Sequence, residues 1–262
     1  ATSNQHIPMS LIHRLAHLFY PRGSVRRVLR GPVRGLKFEV VSGMGATYAL
    51  GMDVMNLGFL STKLKPGLVV YDVGGNCGQM ALYFSSHVGS SGKVFTFEPV
   101  PENFARLSRN VQINGLANVE AFETAVGSDL EPKSFCFDSA HHTMGTFATT
   151  MVKLASWEQT ITVPCTTLDV WAADGRPGPS IIKIDVEGAG LEVIKGAAGL
   201  IEKFRPGIYF EIHAADAESP ELRALAMLRE KWGYRISDLN GTLQDELGPM
   251  WGAAVWCEPP NR

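Results

Sequence analysis

The sequence predicts an α/β protein whose mostly parallel sheet carries helices on both faces. Three observations predict it. From Lys65 onward, apolar runs of strand length alternate with segments of helical spacing. The runs are almost continuously apolar rather than alternating, as expected of strands buried on both sides. The composition, 45% hydrophobic and 19% charged over 262 residues, suits one large α/β domain with an N-terminal addition.

Residues 1–40 carry seven basic side chains (Arg14, Arg22, Arg26, Arg27, Arg30, Arg34, Lys37) against one acid, Glu39. "MSLIHRLAHLFY" places Leu11, Leu15 and Leu18 on one helical face and stops at Pro21. A basic segment of this kind is expected to be a solvated face whose apolar stripe packs on the main domain. "LKFEVV" reads as a strand and "MDVMNLGFLSTKL" as a helix closed by "KPG". Residues 1–64 are therefore expected to form an addition on a main domain of residues 65–262.

Within that domain "GLVVYDVG" is a strand and "GQMALYFSSHVG" a helix. "GKVFTFEPV" is the second strand, and "PENFARLSRNVQING" is a helix starting at Pro101. "VEAFETAVG" is the third strand. "PSIIKIDVEG" and "PGIYFEIH" are the fourth and fifth, followed by the helices "LEVIKGAAGLIEKF" and "PELRALAMLREKWG". "YRISDLNG" and "GAAVWCEP" are expected to close the sheet as an antiparallel pair. Ser128 to Trp171 breaks the rhythm and is too long for a plain connection. An insertion over about 128–165 is expected, with "KSFCFDS" and "TITVPCTTLD" paired as a hairpin.

A net charge of −2 gives no reason to expect a nucleic-acid partner, and no apolar stretch approaches the length that spans a bilayer. Cys77, Cys136, Cys165 and Cys257 form no CxxC pair, so four reduced thiols in a cytoplasmic protein are expected. His13, Arg14 and His17 interrupt Leu11–Tyr20, which argues against a secretory signal there. Oligomeric state, a homo-oligomer included, stays open.

The first long strand ends in "DVGGNCG". A nicotinamide fingerprint fails here: counted from Gly74, the third place is Asn76 and the sixth Gln79. A phosphate-cradling "GxxxxGK[ST]" loop is absent as well. Gly74, Gly75 and Gly78 are therefore read as room for a ligand without a pyrophosphate, at the carboxyl end of a parallel strand. Glu98, twenty residues beyond Gly78 at the end of the second strand, is placed to accept hydrogen bonds from both hydroxyls of a ribose. Asp72 stands where a carboxylate meets an ammonium group or caps loop amides. A ribose, an ammonium and no phosphates together describe S-adenosylmethionine.

Through "VVYDVGGNCGQMALYFS", "VFTFEPVPENFARLSRNVQING", "ETAVG", "TTLDVW", "IIKIDVEGAGLEVIKGA" and "PGIYFEIH", the chain resembles the FkbM family of S-adenosylmethionine-dependent methyltransferases. The resemblance runs from about Lys65 to His213. It implies a seven-stranded class I methyltransferase fold and methyl transfer to an oxygen of a small molecule. It also implies that Asp72, Gly74 and Asn76 lie along the methionine part, that Glu98 holds the ribose, and that Thr124–Gly127, with Ala125, lies beside the adenine. Two departures stand out. Gly75 replaces the usual Ala, which is expected to change little, and Gly190 replaces an acid three places after Glu187.

A second polar cluster follows from strand periodicity. Lys183, Asp185 and Glu187 alternate in "KIDVEG", as do Glu211 and His213 in "FEIH". Charges on buried strands are tolerable at the carboxyl end, so Asp185 and Glu187 are expected to line the site, with Asp185 also near the cofactor. For Lys183 and Glu211 an ordinary ion pair is the expectation. His213 or Asp185 is the candidate proton acceptor, since imidazole titrates near neutrality. Nothing in the spacing demands a divalent cation, and no metal is assigned. His141 and His142 in the insertion are candidates to cover the substrate. The expected acceptor is a hydroxyl of a sugar, glycolipid or polyketide-like metabolite. The competing reading is a catalytically silent cofactor-binding protein that docks on a partner.

Overall fold

The computed structural model describes residues 21, 23–40, 57–137, 145–147, 159–213, 218–244 and 251–260. The expected helix over Met9–Tyr20 and the pair His141 and His142 lie outside the described residues.

The chain enters through a two-stranded antiparallel hairpin, β1 (Val25–Arg27) and β2 (Lys37–Glu39), and the short helix α1 (Leu57–Lys63). Val28, Val33 and Phe38 of the hairpin pack with Leu57 and Leu60 into one apolar cluster against the main domain. β3 (Val69–Val73), α2 (Gln79–Val88), β4 (Lys93–Phe97), α3 (Pro101–Ile113) and β5 (Val119–Phe122) then build one half of a sheet. Pro101 starts α3 at a position where its missing N–H is harmless.

The third expected strand divides. After β5 the chain leaves the main sheet, and β6 (Ala125–Val126) pairs instead with β10 (Cys165–Thr166). Between them lies the insertion, a three-stranded sheet of β7 (Lys133–Phe137), β8 (Gly145–Phe147) and β9 (Gln159–Val163), with β7 and β9 antiparallel as expected. A helix not anticipated from the sequence follows, α4 (Leu168–Ala173), capped by Thr167, whose side chain accepts from the Val170 amide at 3.1 Å.

The second half comprises β11 (Ile181–Ile184), α5 (Gly190–Gly196), α6 (Ala198–Phe204), β12 (Gly207–His213), α7 (Pro220–Trp232), β13 (Arg235–Asp238) and β14 (Trp251–Glu258). The single helix expected over 191–204 is broken at Ala197. Gly196 there lies so close to the Gly127 carbonyl that a Cβ would collide with it.

The seven-stranded sheet runs β13-β14-β12-β11-β3-β4-β5. The five strands from β12 to β5 are parallel, and β14 inserts antiparallel between β12 and β13. The chain steps outward from β3 to β5 and then returns to the other side of β3, which opens a crevice at the carboxyl ends of β3 and its neighbours. Beneath that crevice Trp171 of α4 meets Tyr71, Phe95, Phe97 and Phe122 edge-on, with ring centroids 4.9–5.3 Å away. Among the described residues no helix is long and apolar enough to cross a membrane.

Candidate active site

Strand register sets the floor of the crevice. Thr96 pairs with Asp72, Asp72 with Lys183, and Lys183 with Tyr209, so four strands present one row of side chains on one face. Thr96 Oγ1 donates to Asp72 Oδ2 at 2.9 Å. The buried Lys183 ammonium donates to the Gly74 carbonyl at 2.7 Å and lies 3.4 Å from Asp72 and 3.2 Å from Asp185. Burial opposes its charge, but Asp185, Asp72 and Glu211 outweigh it and raise the Lys183 pKa. Lys183 therefore ties β3, β11 and the glycine loop together through Asp72, Asp185 and Gly74; the expected ion pair with Glu211 does not form.

The loop after β3 is fastened by its own backbone. Gly74 and Gly75 both donate to the Phe97 carbonyl, at 3.0 and 2.9 Å. Asn76 takes up a left-handed φ of 48°, which asparagine tolerates. Its side chain accepts from the Cys77 amide at 2.7 Å. Asn110 of α3 donates to the Cys77 carbonyl at 2.8 Å and accepts from the Glu39 amide at 2.8 Å, joining the loop to the N-terminal hairpin.

The reading of three glycines as room for a ligand needs correction. A Cβ on Gly74 would collide with the Asp185 carbonyl, one on Gly75 with Thr96 Oγ1 and Leu107, and one on Gly78 would press on Leu107. The space is filled by the protein itself. The departure at Gly75, expected to change little, thus has a local reason: alanine would displace the hydroxyl that holds Asp72. The departure at Gly190 has one too, since the Phe210 ring occupies the space beside it.

Glu98 follows β4 and is 5% exposed. Its Oε2 accepts from the Asn76 amide at 2.8 Å and its Oε1 from the Val100 amide at 2.9 Å. Burial pushes its pKa up to about 7 against the pull of these amides. On the far side of β3, Asp185 and Glu187 follow β11. The His213 imidazole lies 3.9 Å from the Asp185 carboxylate and 3.6 Å from that of Glu187. Burial raises Glu187 to about 7, helped by the charges of Asp185 and Glu221, and lowers His213.

A cleft opens between Glu98 on one side and Asp185 and Glu187 on the other. Of the residues singled out from the sequence, Gly74, Asn76, Glu98, Ala125, Asp185 and Glu187 line it. Asp72, Gly75 and Gly78 are buried and do not line it. His213 is 8% exposed, behind Asp185 and Glu187. Sequence reasoning missed Asn103, Phe135 and Val186, which also line the cleft, and the supporting Thr96. The reach of the inserted β7 into the cleft through Phe135 left no readable signal.

The model of the methyltransferase FkbM domain matches residues 72–236, which span the loop, Glu98 and the strand-end cluster. The chain belongs to the FkbM methyltransferase family. S-adenosylmethionine is the cofactor that this family implies, and the lining of the cleft suits it. Glu98 offers acceptors on one side of β3 and an acidic cluster lies on the other, for a ligand with a diol at one end and positive charge at the other.

The hexuronic acid methyltransferase AglP of Haloferax volcanii is 29% identical over 168 residues, which are 62% of this chain and 62% of that relative. The chain thus matches less than two thirds of its relative's length. Among solved structures, a methyltransferase FkbM from Methylobacillus flagellatus superposes with a TM-score of 0.49 at 14% identity, over 83% of this chain and 55% of that one. The Aeropyrum pernix fibrillarin bound to S-adenosyl-L-methionine gives 0.45 at 13% identity, over 78% and 74%.

Proposed function

We propose that this FkbM methyltransferase methylates a hydroxyl oxygen of a small molecule, with a sugar as the favoured acceptor class. The observation that carries the reading is the placement of Glu98 and the Asp185–Glu187–His213 group across the end of β3, on the two sides of one cleft. Strands two apart in a sheet are separated by about 9–10 Å, a span suited to a cofactor lying across β3. Similarity to a hexuronic acid methyltransferase supports the sugar class.

In this reading Glu98 accepts from the ribose hydroxyls while the Gly74–Asn76 backbone borders the amino-acid part. Asp72 does not meet the ligand; it holds the loop through Thr96 and Lys183. Bound S-adenosylmethionine would supply a sulfonium-activated methyl group to an acceptor oxygen, with a neutral thioether as the leaving group. The chain must align that oxygen and take its proton. Alignment accounts for on the order of 7–11 kcal/mol in favourable cases, and a positioned base for about 10²–10⁴-fold. Glu187 and His213 are the proton acceptors within reach of each other, one held near 7 and the other kept neutral by burial. Residues 1–64 act as a cap on the catalytic domain, and the insertion contributes Phe135 to the cleft wall beside Val100 and Ala125.

The test is incubation of the full chain with S-adenosylmethionine and a panel of hydroxylated acceptors, uronic and neutral sugars first, with products analysed by mass spectrometry and NMR. An O-methyl sugar supports the reading. Tight cofactor binding with no methylated product across the panel would favour the silent binding protein.

A further inference from the structure

We infer that Asp185, Glu211 and His213 form a binding site for an octahedral divalent cation of the Mn2+ class, opening into the cleft. One ligand atom from each of the three residues lies within 4.8 Å of the others. An octahedral cation holding ligands at about 2.1 Å sets neighbouring ligands roughly 3 Å apart and opposite ones about 4.2 Å apart. A small rotamer adjustment therefore closes the set.

The backbone prepares this arrangement. Ile184 pairs with Phe210, so the next residues, Asp185 and Glu211, stand side by side on parallel strands. Glu211 and His213 alternate on β12 and project to the same face.

A second observation points to a missing cation. Glu211 is 5% exposed, and its Oε1 has no hydrogen-bond partner among the described residues. A buried carboxylate oxygen in that state is costly. The surrounding charge is also unbalanced. Asp72, Asp185 and Glu187 all act on Glu211 against the single cation Lys183, which is already engaged by Gly74, Asp72 and Asp185. The donor set decides the metal class: two carboxylates suit Mg2+ or Mn2+, and the imidazole tips the choice to Mn2+.

Asp185 borders the cleft, so the remaining coordination positions open toward the acceptor. The cation then polarises the acceptor hydroxyl, His213 serves as a ligand, and Glu187 receives the proton. This last assignment rests on the methyl-transfer reading; the cation site itself does not.

The experiment uses the full chain stripped with EDTA, titrated with Mn2+ and followed by loss of the free-ion EPR signal. S-adenosylhomocysteine affinity is measured in parallel by calorimetry. The wild type is expected to take up one equivalent saturably. Glu211→Gln and His213→Gln are each expected to weaken uptake about tenfold or more, with S-adenosylhomocysteine affinity in Glu211→Gln unchanged as proof of folding. No saturable Mn2+ uptake by a wild type that binds S-adenosylhomocysteine, or uptake unaltered in both variants, would overturn the inference. Mn2+ uptake without methylated product would instead sink the methyl-transfer reading and leave the site standing.

Discussion

Glu98→Gln separates ligand recognition from folding. Glutamine preserves the shape, but its amide nitrogen cannot accept, so one of the two backbone amides now served, Asn76 or Val100, loses its partner. A hydrogen bond to a charged acceptor contributes about 1.5–3 kcal/mol. Against this, the native carboxylate is disfavoured by burial, its pKa moving from 4.5 to about 7. A raised acid pKa destabilises the folded state progressively from pH 4.5 upward and levels off above about 7, at roughly 3 kcal/mol. Glutamine removes that penalty, so near pH 8 the two effects offset and the melting temperature moves by only a few degrees. Affinity behaves differently. Losing one charge-assisted bond to a ribose hydroxyl lowers S-adenosylhomocysteine affinity about 10- to 150-fold.

The pH dependence carries its own sign. Ribose hydroxyls donate to the ionised carboxylate, so binding lowers the Glu98 pKa and releases a proton. Wild-type affinity should therefore fall by up to about tenfold per unit below pH 7, while the Gln variant stays flat. Calorimetry at pH 5.5, 6.5 and 7.5, in two buffers of different ionisation enthalpy, reads both quantities. A variant within threefold of wild type, or a wild-type affinity that is level across that range, would refute the reasoning.

Three further outcomes follow from the same geometry. Glu187→Gln should lower turnover by about 10²–10⁴-fold with little change in cofactor affinity, and the wild-type rate should decline below pH 7 as Glu187 protonates, checked by initial rates from pH 5.5 to 8.5. Lys183→Met leaves Asp72 buried without its cation and should destabilise the fold by about 3–5 kcal/mol, read by urea unfolding. Trp171→Ala empties the centre of the aromatic cluster under the loop and should cost about 3–5 kcal/mol, with the unfolding midpoint again the readout.

Most of the sheet was legible because its strands are continuously apolar and their ends are marked by glycine, proline or an acid. That Glu98 and Asp185 line a cleft was legible for the same reason, since a charge at the end of a buried strand has few other places to go. What escaped depends on which strands lie beside each other. Lys183 becomes a hub only because β11 pairs with β3 in a register that sets it against Asp72. Gly75 and Gly78 looked like ligand-facing positions because spacing along the chain does not reveal Thr96 and Leu107 packed against them. Helix α4 was hidden within a segment read as strand, although its cap Thr167 and buried Leu168 and Trp171 are the usual signals. The Glu211 carboxylate could not be separated from an ordinary ion-pair partner until its burial and neighbours were known.

The most direct measurement is a crystal structure of the complex with S-adenosylhomocysteine. Both ribose hydroxyls should lie within hydrogen-bonding distance of Glu98, with the sulfur directed toward Asp185 and Glu187. A nucleoside bound away from Glu98, or a sulfur turned from the β11 end, would contradict the assignment of this cleft.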